Sequence, residues 1–154
     1  MQDFNDRSGT ALVIGGTGGI GSEICKLLAA RGSDIAFTYQ NNEEKAESLS
    51  NEIENLGVNS LKHSLDLDNQ AEVHNFIQSL GNDRGIHTLI YAAGPVVPQV
   101  HLSNIPPETF SEHLNSEVNA FFGAVIPALP FIREQNGAII AVTSAATDKY
   151  PIKD

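Results

Sequence analysis

The sequence predicts a three-layer α/β/α domain built on a parallel sheet in the order 3-2-1-4-5. Three observations carry this. Five apolar runs alternate with stripes of helical spacing; glycines close the first three stripes; and a glycine-dense turn joins the first run to the first stripe. Such alternation implies βαβ units, with a parallel sheet covered by helices on both faces. Right-handed crossovers restrict the winding. With strand 1 starting the sheet, the doubly wound order follows, and a ligand belongs at the carboxyl ends near strands 1 and 4.

The elements follow in order. Ala11 to Ile14 is the first apolar run. Ile20, Ile24, Leu27 and Leu28 fall at helical spacing, with Gly32 as the stop. Ile35 to Tyr39 reads as strand 2. Ala46, Leu49, Ile53 and Leu56 form the second stripe, closed by Gly57. Ser60 to Leu65 is a weaker third strand. Val73, Phe76, Ile77 and Leu80 mark helix 3, ending at Gly81, and Thr88 to Ala93 is strand 4. The proline-punctuated stretch Pro95 to Pro107 reads as a functional loop. Phe110, Leu114, Val118, Phe121, Phe122 and Val125 mark a long helix, which Pro127 and Pro130 should kink or end. Ala138 to Thr143 is strand 5, and Asp148 to Asp154 is polar loop. Consecutive apolar positions in strand 5 suggest burial on both faces. Nothing in the sequence covers one face over strands 4 and 5.

Composition narrows the function. A chain of 154 residues is one domain by length. The formal charge of -10 gives no long-range attraction for nucleic acid or an anionic membrane. No apolar run approaches the roughly 20 residues that span a bilayer, and the polar stretch Met1 to Thr10 is no secretory signal. The single Cys25 cannot form an internal disulfide and fits a small packed position in helix 1. A cytoplasmic protein is expected. His63, His74, His87, His101 and His113 lack ligand spacing, so no metal site is expected and surface or loop positions are. The glutamates of helix 2 read as a solvated face.

The turn Ile14-Gly15-Gly16-Thr17-Gly18-Gly19-Ile20-Gly21 lies between a strand and a helix. Glycines let backbone amides approach a pyrophosphate at a helix N-terminus. The register stays open. Gly16, Gly18 and Gly21 satisfy G-x-G-x-x-G; Gly15, Gly19 and Gly21 satisfy G-x-x-x-G-x-G; Gly15, Gly18 and Gly21 give a third spacing. At the end of strand 2, Tyr39-Gln40-Asn41-Asn42 offers no carboxylate for a ribose 2′-hydroxyl, which favours NADP over NAD, although no basic residue sits in that turn.

Across nearly its whole length the chain resembles the short-chain dehydrogenase/reductase family, whose domain is a Rossmann fold. The motifs are Asp66-Leu67 with Val73 seven residues later, Tyr91-Ala92-Ala93-Gly94, Val118-Asn119, and Gly137 through Thr143-Ser144. The resemblance implies an NAD(P)-dependent oxidoreductase moving hydride between nicotinamide and a carbonyl or alcohol carbon, and a homo-oligomer when intact. By resemblance, Gly15, Thr17, Gly18, Gly19, Ile20 and Gly21 hold pyrophosphate. Tyr39 and Asn42 flank the ribose, Asp66 and Leu67 hold adenine, and Ala92, Ala93 and Gly94 line the ribose path. Ser144 polarises the substrate oxygen, and Asn119 orders a water or backbone group in the proton relay. Where the family has Asn-Asn-Ala-Gly, this chain has Tyr91 and Ala92 in place of both asparagines. The family's Tyr-x-x-x-Lys would fall about 13 residues beyond Ser144, past Asp154, with the lysine shifting the tyrosine toward neutral pH. Tyr150-Pro-Ile-Lys153 has the wrong spacing, and its proline disfavours helix at Tyr150. The chain therefore reads as mainly the cofactor-binding part of such an enzyme, itself inactive. Rival readings are a non-catalytic nucleotide-binding or sensor module docking a partner on strand 5, and a methyltransferase-like domain in which Asn119 and Ser144 have no role.

Overall fold

The computed structural model describes residues 3–94 and 100–144. Its sheet has the order β3-β2-β1-β4-β5, and every pairing is parallel. The strands are β1 (Thr10–Ile14), β2 (Asp34–Tyr39), β3 (Ser60–Ser64), β4 (Ile86–Tyr91) and β5 (Ala138–Ala141). The connecting helices are α1 (Gly19–Ala30), α2 (Glu43–Glu54), α3 (Gln70–Arg84), α4 (Pro107–Leu114) and α5 (Ala120–Glu134). The order and the layers are those the sequence predicts.

Alternation along β1 divides the core in two. Leu12 and Ile14 face α3 and α5, packing with Val73, Ile77, Leu89, Ala124 and Ala128. Ala11 and Val13 face the opposite way, toward Cys25 and Ala29 of α1, Ala46 and Ile53 of α2, and Phe37. Both faces of β1 are buried, as a central parallel strand requires. Cys25 packs as a small apolar residue, and burial pushes its thiol up to about 12.

Four expectations change. In α1 the buried face is Gly21, Cys25 and Ala29, while Ile20 and Leu27 are 60% and 59% exposed. Small residues against the sheet let the helix approach closely, and of the apolar stripe only Ile24 and Leu28 pack beside them. Pro127 and Pro130 lie inside α5 without ending it. Burial of Ala120, Ala124, Ala128 and Ile132 outweighs a cost of about 3 kcal/mol per interior proline. A π-helical segment, Asn115–Asn119, interrupts the long helix that the sequence shows as continuous. Strand β5 is not buried on both faces: Ile139 packs on the core, while Ile140 is 48% exposed.

His87 is the fifth correction. It is fully buried in β4 rather than on the surface. Its Nε2 lies 3.2 Å from Ser33 Oγ, its Nδ1 lies 2.8 Å from Thr88 Oγ1, and Phe4 stacks on its ring. Burial, aided by Arg7 and opposed by Asp34, pulls its pKa from 6.5 down to about 4. Between those values the unfolded chain takes up a proton that the folded chain refuses, so stability is lost as pH drops through that window and is fully present above it. The full loss is about 3 kcal/mol, at 1.36 kcal/mol per pKa unit. Urea unfolding at pH 7 and pH 4.5 should show most of this loss in the parent chain and much less in His87→Gln; equal losses in the two would contradict it.

Candidate functional site

The site forms where β1 ends. Gly15 has φ +81°, and a Cβ there would lie 2.7 Å from the backbone nitrogen of Ala93. Only glycine meets both conditions. A Cβ on Gly21 would overlap the Gly15 carbonyl oxygen, and one on Gly16 would lie 2.6 Å from Phe37 Cβ. Gly15 and Gly21 are thus fixed as the two ends of the turn, as in the two registers that begin at Gly15. Around Gly19 a Cβ would meet nothing, so its surface is open to a ligand.

The amides sort into committed and available. Gly15 N–H donates to Thr38 Oγ1 at 3.1 Å, Gly16 N–H to the Thr38 carbonyl at 2.9 Å, and Gly18 N–H to the Gly15 carbonyl at 3.1 Å. The first-turn amides of α1, from Gly19 to Gly21, have no intrahelical acceptor, and Gly18 supplies no side-chain cap. In α2 and α3 that position is filled, by Asn42 accepting from Lys45 N–H and Asn69 accepting from Glu72 N–H. The start of α1 is therefore an uncapped, electropositive helix terminus suited to a phosphate.

This terminus opens on a cleft of about 410 Å³. Its walls come from the turn (Gly15, Thr17, Gly18), the end of β2 (Thr38, Tyr39, Gln40), the chain after β3 (Leu65 to Asp68), Ala93 and Gly94 after β4, and Ser116 from the π-helical segment. No lysine or arginine lines it among the described residues. Asp66 holds its own turn together, its Oδ1 accepting from Asp68 N–H at 3.1 Å, while Asn69 and not Asp66 caps α3. The diphosphate of a dinucleotide fits the uncapped amides, and its adenosine half fits the cleft between the ends of β2, β3 and β4.

The structure gathers Gly15, Thr17, Gly18, Tyr39, Asp66, Leu67, Ala93 and Gly94 around one cleft. Gly19, Ile20 and Gly21 stand beside it on α1. Asn42 is not in the lining, and its Oδ1 is committed to capping α2. Ala92 N–H is committed to the Ile14 carbonyl at 2.9 Å. Asn119 is exposed, donating from Nδ2 to Asn115 Oδ1 at 2.7 Å across the π-helical segment. Ser144 is exposed just beyond β5. Tyr150 and Lys153 lie outside the described residues. Sequence reasoning did not pick out Thr38, Gln40, Leu65, Asp68 and Ser116. Gln40 was within reach, since it sits in the turn read for ribose binding. Ser116 was not, because only the π-helical segment turns it to the cleft.

One residue just before the cleft-lining Ala93 and Gly94 is unusual. Tyr91, at the end of β4, is 4% exposed, and its hydroxyl has no hydrogen-bond partner among the described residues. Its ring meets Phe121 edge-on at 5.4 Å. Burial pushes its pKa up to about 12, with the carboxylates of Glu117 and Asp68 adding to the shift.

Known proteins of the same build bear on this geometry. A Staphylococcus aureus protein named 3-oxoacyl-[acyl-carrier-protein] reductase FabG is 28% identical over 137 residues, covering 88% of this chain and 55% of its own length. A sorbose reductase of Schizosaccharomyces pombe is 25% identical over 146 residues, with 92% of this chain and 56% of its own length covered. The chain thus spans a little over half the length of these relatives. A short chain dehydrogenase of Burkholderia cenocepacia, solved in complex with NADP, is 28% identical and superposes with a TM-score of 0.87 over 97% of this chain and 60% of its own. The family model described as short chain dehydrogenase matches residues 9–153. With that match, and with the sheet order and glycine turn in place, the chain belongs to the short-chain dehydrogenase family.

Proposed function

We propose that this chain carries the dinucleotide-binding part of an NAD(P)-dependent oxidoreductase acting on a small carbonyl or alcohol substrate. The observation that carries the reading is the uncapped start of α1 facing the cleft. The first-turn amides of α1 would hold the diphosphate, Asp66 and Leu67 the adenine, and Tyr39 with Gln40 the adenosine ribose. A bound nicotinamide supplies or accepts hydride at its C4. Ser144 would hydrogen-bond the substrate oxygen, and Asn119 would order a water or backbone group, the neighbouring π-helical segment leaving helix carbonyls outside the regular ladder. NADP is the preferred cofactor, because no carboxylate occupies Tyr39 to Asn42 to repel a 2′-phosphate. The NADP complex of the Burkholderia cenocepacia relative supports the same choice.

Phe110, Leu114, Val118, Phe122 and Ile126 recur every four residues and are all exposed. A continuous apolar stripe of this kind marks an interaction surface, and a second copy of the chain is its proposed occupant, in a cytoplasmic homo-oligomer. Calorimetric titration of residues 1–154 with NADP, NAD and S-adenosylmethionine tests the main reading. Binding of the nicotinamide dinucleotides, NADP more tightly, is expected, with negligible carbonyl reduction by this polypeptide alone. Binding of S-adenosylmethionine in their place would refute the reading, and robust NADPH oxidation would refute the inactivity. Light scattering on the same sample reads the number of copies.

A further inference from the structure

A buried hydroxyl left without a partner costs about 1–3 kcal/mol, and phenylalanine would fill the same space without that cost. Tyr91, at the end of β4 just before the cleft-lining Ala93 and Gly94, bears the cost. The carboxylates whose charge acts on it are acceptors: Asp68 lines the cleft, and Glu117 follows Ser116, which also lines it. Glu117 Oε1 lies 3.2 Å from where a Cβ on Gly94 would stand, so glycine at 94 leaves room for this carboxylate beside the cleft wall. Among the described residues, Glu117 has no ion-pair partner. Asp66, Asp68 and Glu117 accept hydrogen bonds and donate none when ionised. The ligand edge that suits them must be rich in donors, and Tyr91 is the donor the protein keeps among them.

We propose that Tyr91 and Glu117 read the adenine amino group: the Tyr91 hydroxyl donates to one Glu117 oxygen, and the other oxygen accepts from the exocyclic amine. This rests on the dinucleotide reading above and adds a base-selective contact to the one implied for Asp66. Tyr91 acts here as a positioning residue and Glu117 as a binding residue. The orphaned hydroxyl of the empty site is satisfied once the carboxylate turns toward the base.

The test compares NADP with its hypoxanthine counterpart, in which a carbonyl oxygen replaces the amine. The parent chain should favour the adenine form, and Tyr91→Phe and Glu117→Gln should each reduce that preference at least about tenfold, the lower end of the scale of one hydrogen bond to a charged group. Without ligand, Tyr91→Phe should unfold at the same or a higher temperature, which separates lost recognition from lost folding. An unchanged preference in both variants would overturn the proposal while leaving dinucleotide binding intact. Failure of the parent chain to bind either dinucleotide would remove this proposal together with the functional reading.

Discussion

Gly21→Ala is expected to weaken dinucleotide binding about a hundredfold, close to 2.7 kcal/mol at about 1.4 kcal/mol per factor of ten. The added methyl would overlap the Gly15 carbonyl oxygen, and Gly16 Cα lies close behind it. Neither neighbour can yield. Both are backbone, and Gly15 is held by its bond to Thr38 Oγ1 and by contact with Ala93. The start of α1 must therefore swing away from the turn, carrying its free amides off the position where phosphate would meet them. Overpacking of this kind also costs about 1–3 kcal/mol of stability. Titration with NADP and urea unfolding measure the two losses separately. Affinity within twofold of the parent would show that the close contact of helix and turn is dispensable.

Phe37→Ala should cost about 3–5 kcal/mol, the usual range for removing a fully buried phenylalanine. Phe37 is the largest wholly buried side chain among the described residues, and it packs in the face shared by α1 and α2. Its ring also lies against Gly16, so the same cavity loosens the glycine turn. The variant is expected to lose affinity for the dinucleotide as well as stability, even well below its unfolding midpoint. A urea midpoint implying less than about 1.5 kcal/mol of loss would mean that the surrounding helices collapse onto the cavity.

The two variants mark where sequence reading succeeds and where it stops. The strands were legible because a strand buried on both faces is written as a largely apolar run, as in Ala11 to Ile14 and in Thr88 to Ala93, which overlaps β4. The turn was legible because so many glycines in one stretch disfavour helix and strand alike. Helix faces were less so. In α1, Gly21, Cys25 and Ala29 outrank Ile20 and Leu27 because closeness to the sheet selects small side chains. In α5 the prolines were read as kinking or ending the helix, yet packing against α3 and β4 carries the helix through both. His87 looked like a surface residue because only the fold brings Ser33, Thr88 and Phe4 to its ring.

The order of elements, the sheet winding and the place of the glycine turn were determined by the sequence alone. The elements and the turn depend on local propensity and on periodicity over a few residues, which a linear pattern records directly, and the winding follows from their alternation through the right-handed crossover rule. The tertiary structure decided which glycines have no alternative, which amides stay free, and that Tyr91 is buried with a hydroxyl unpaired among the described residues. Those properties belong to groups that meet across the sheet from distant parts of the chain, and no local pattern encodes the distance between them.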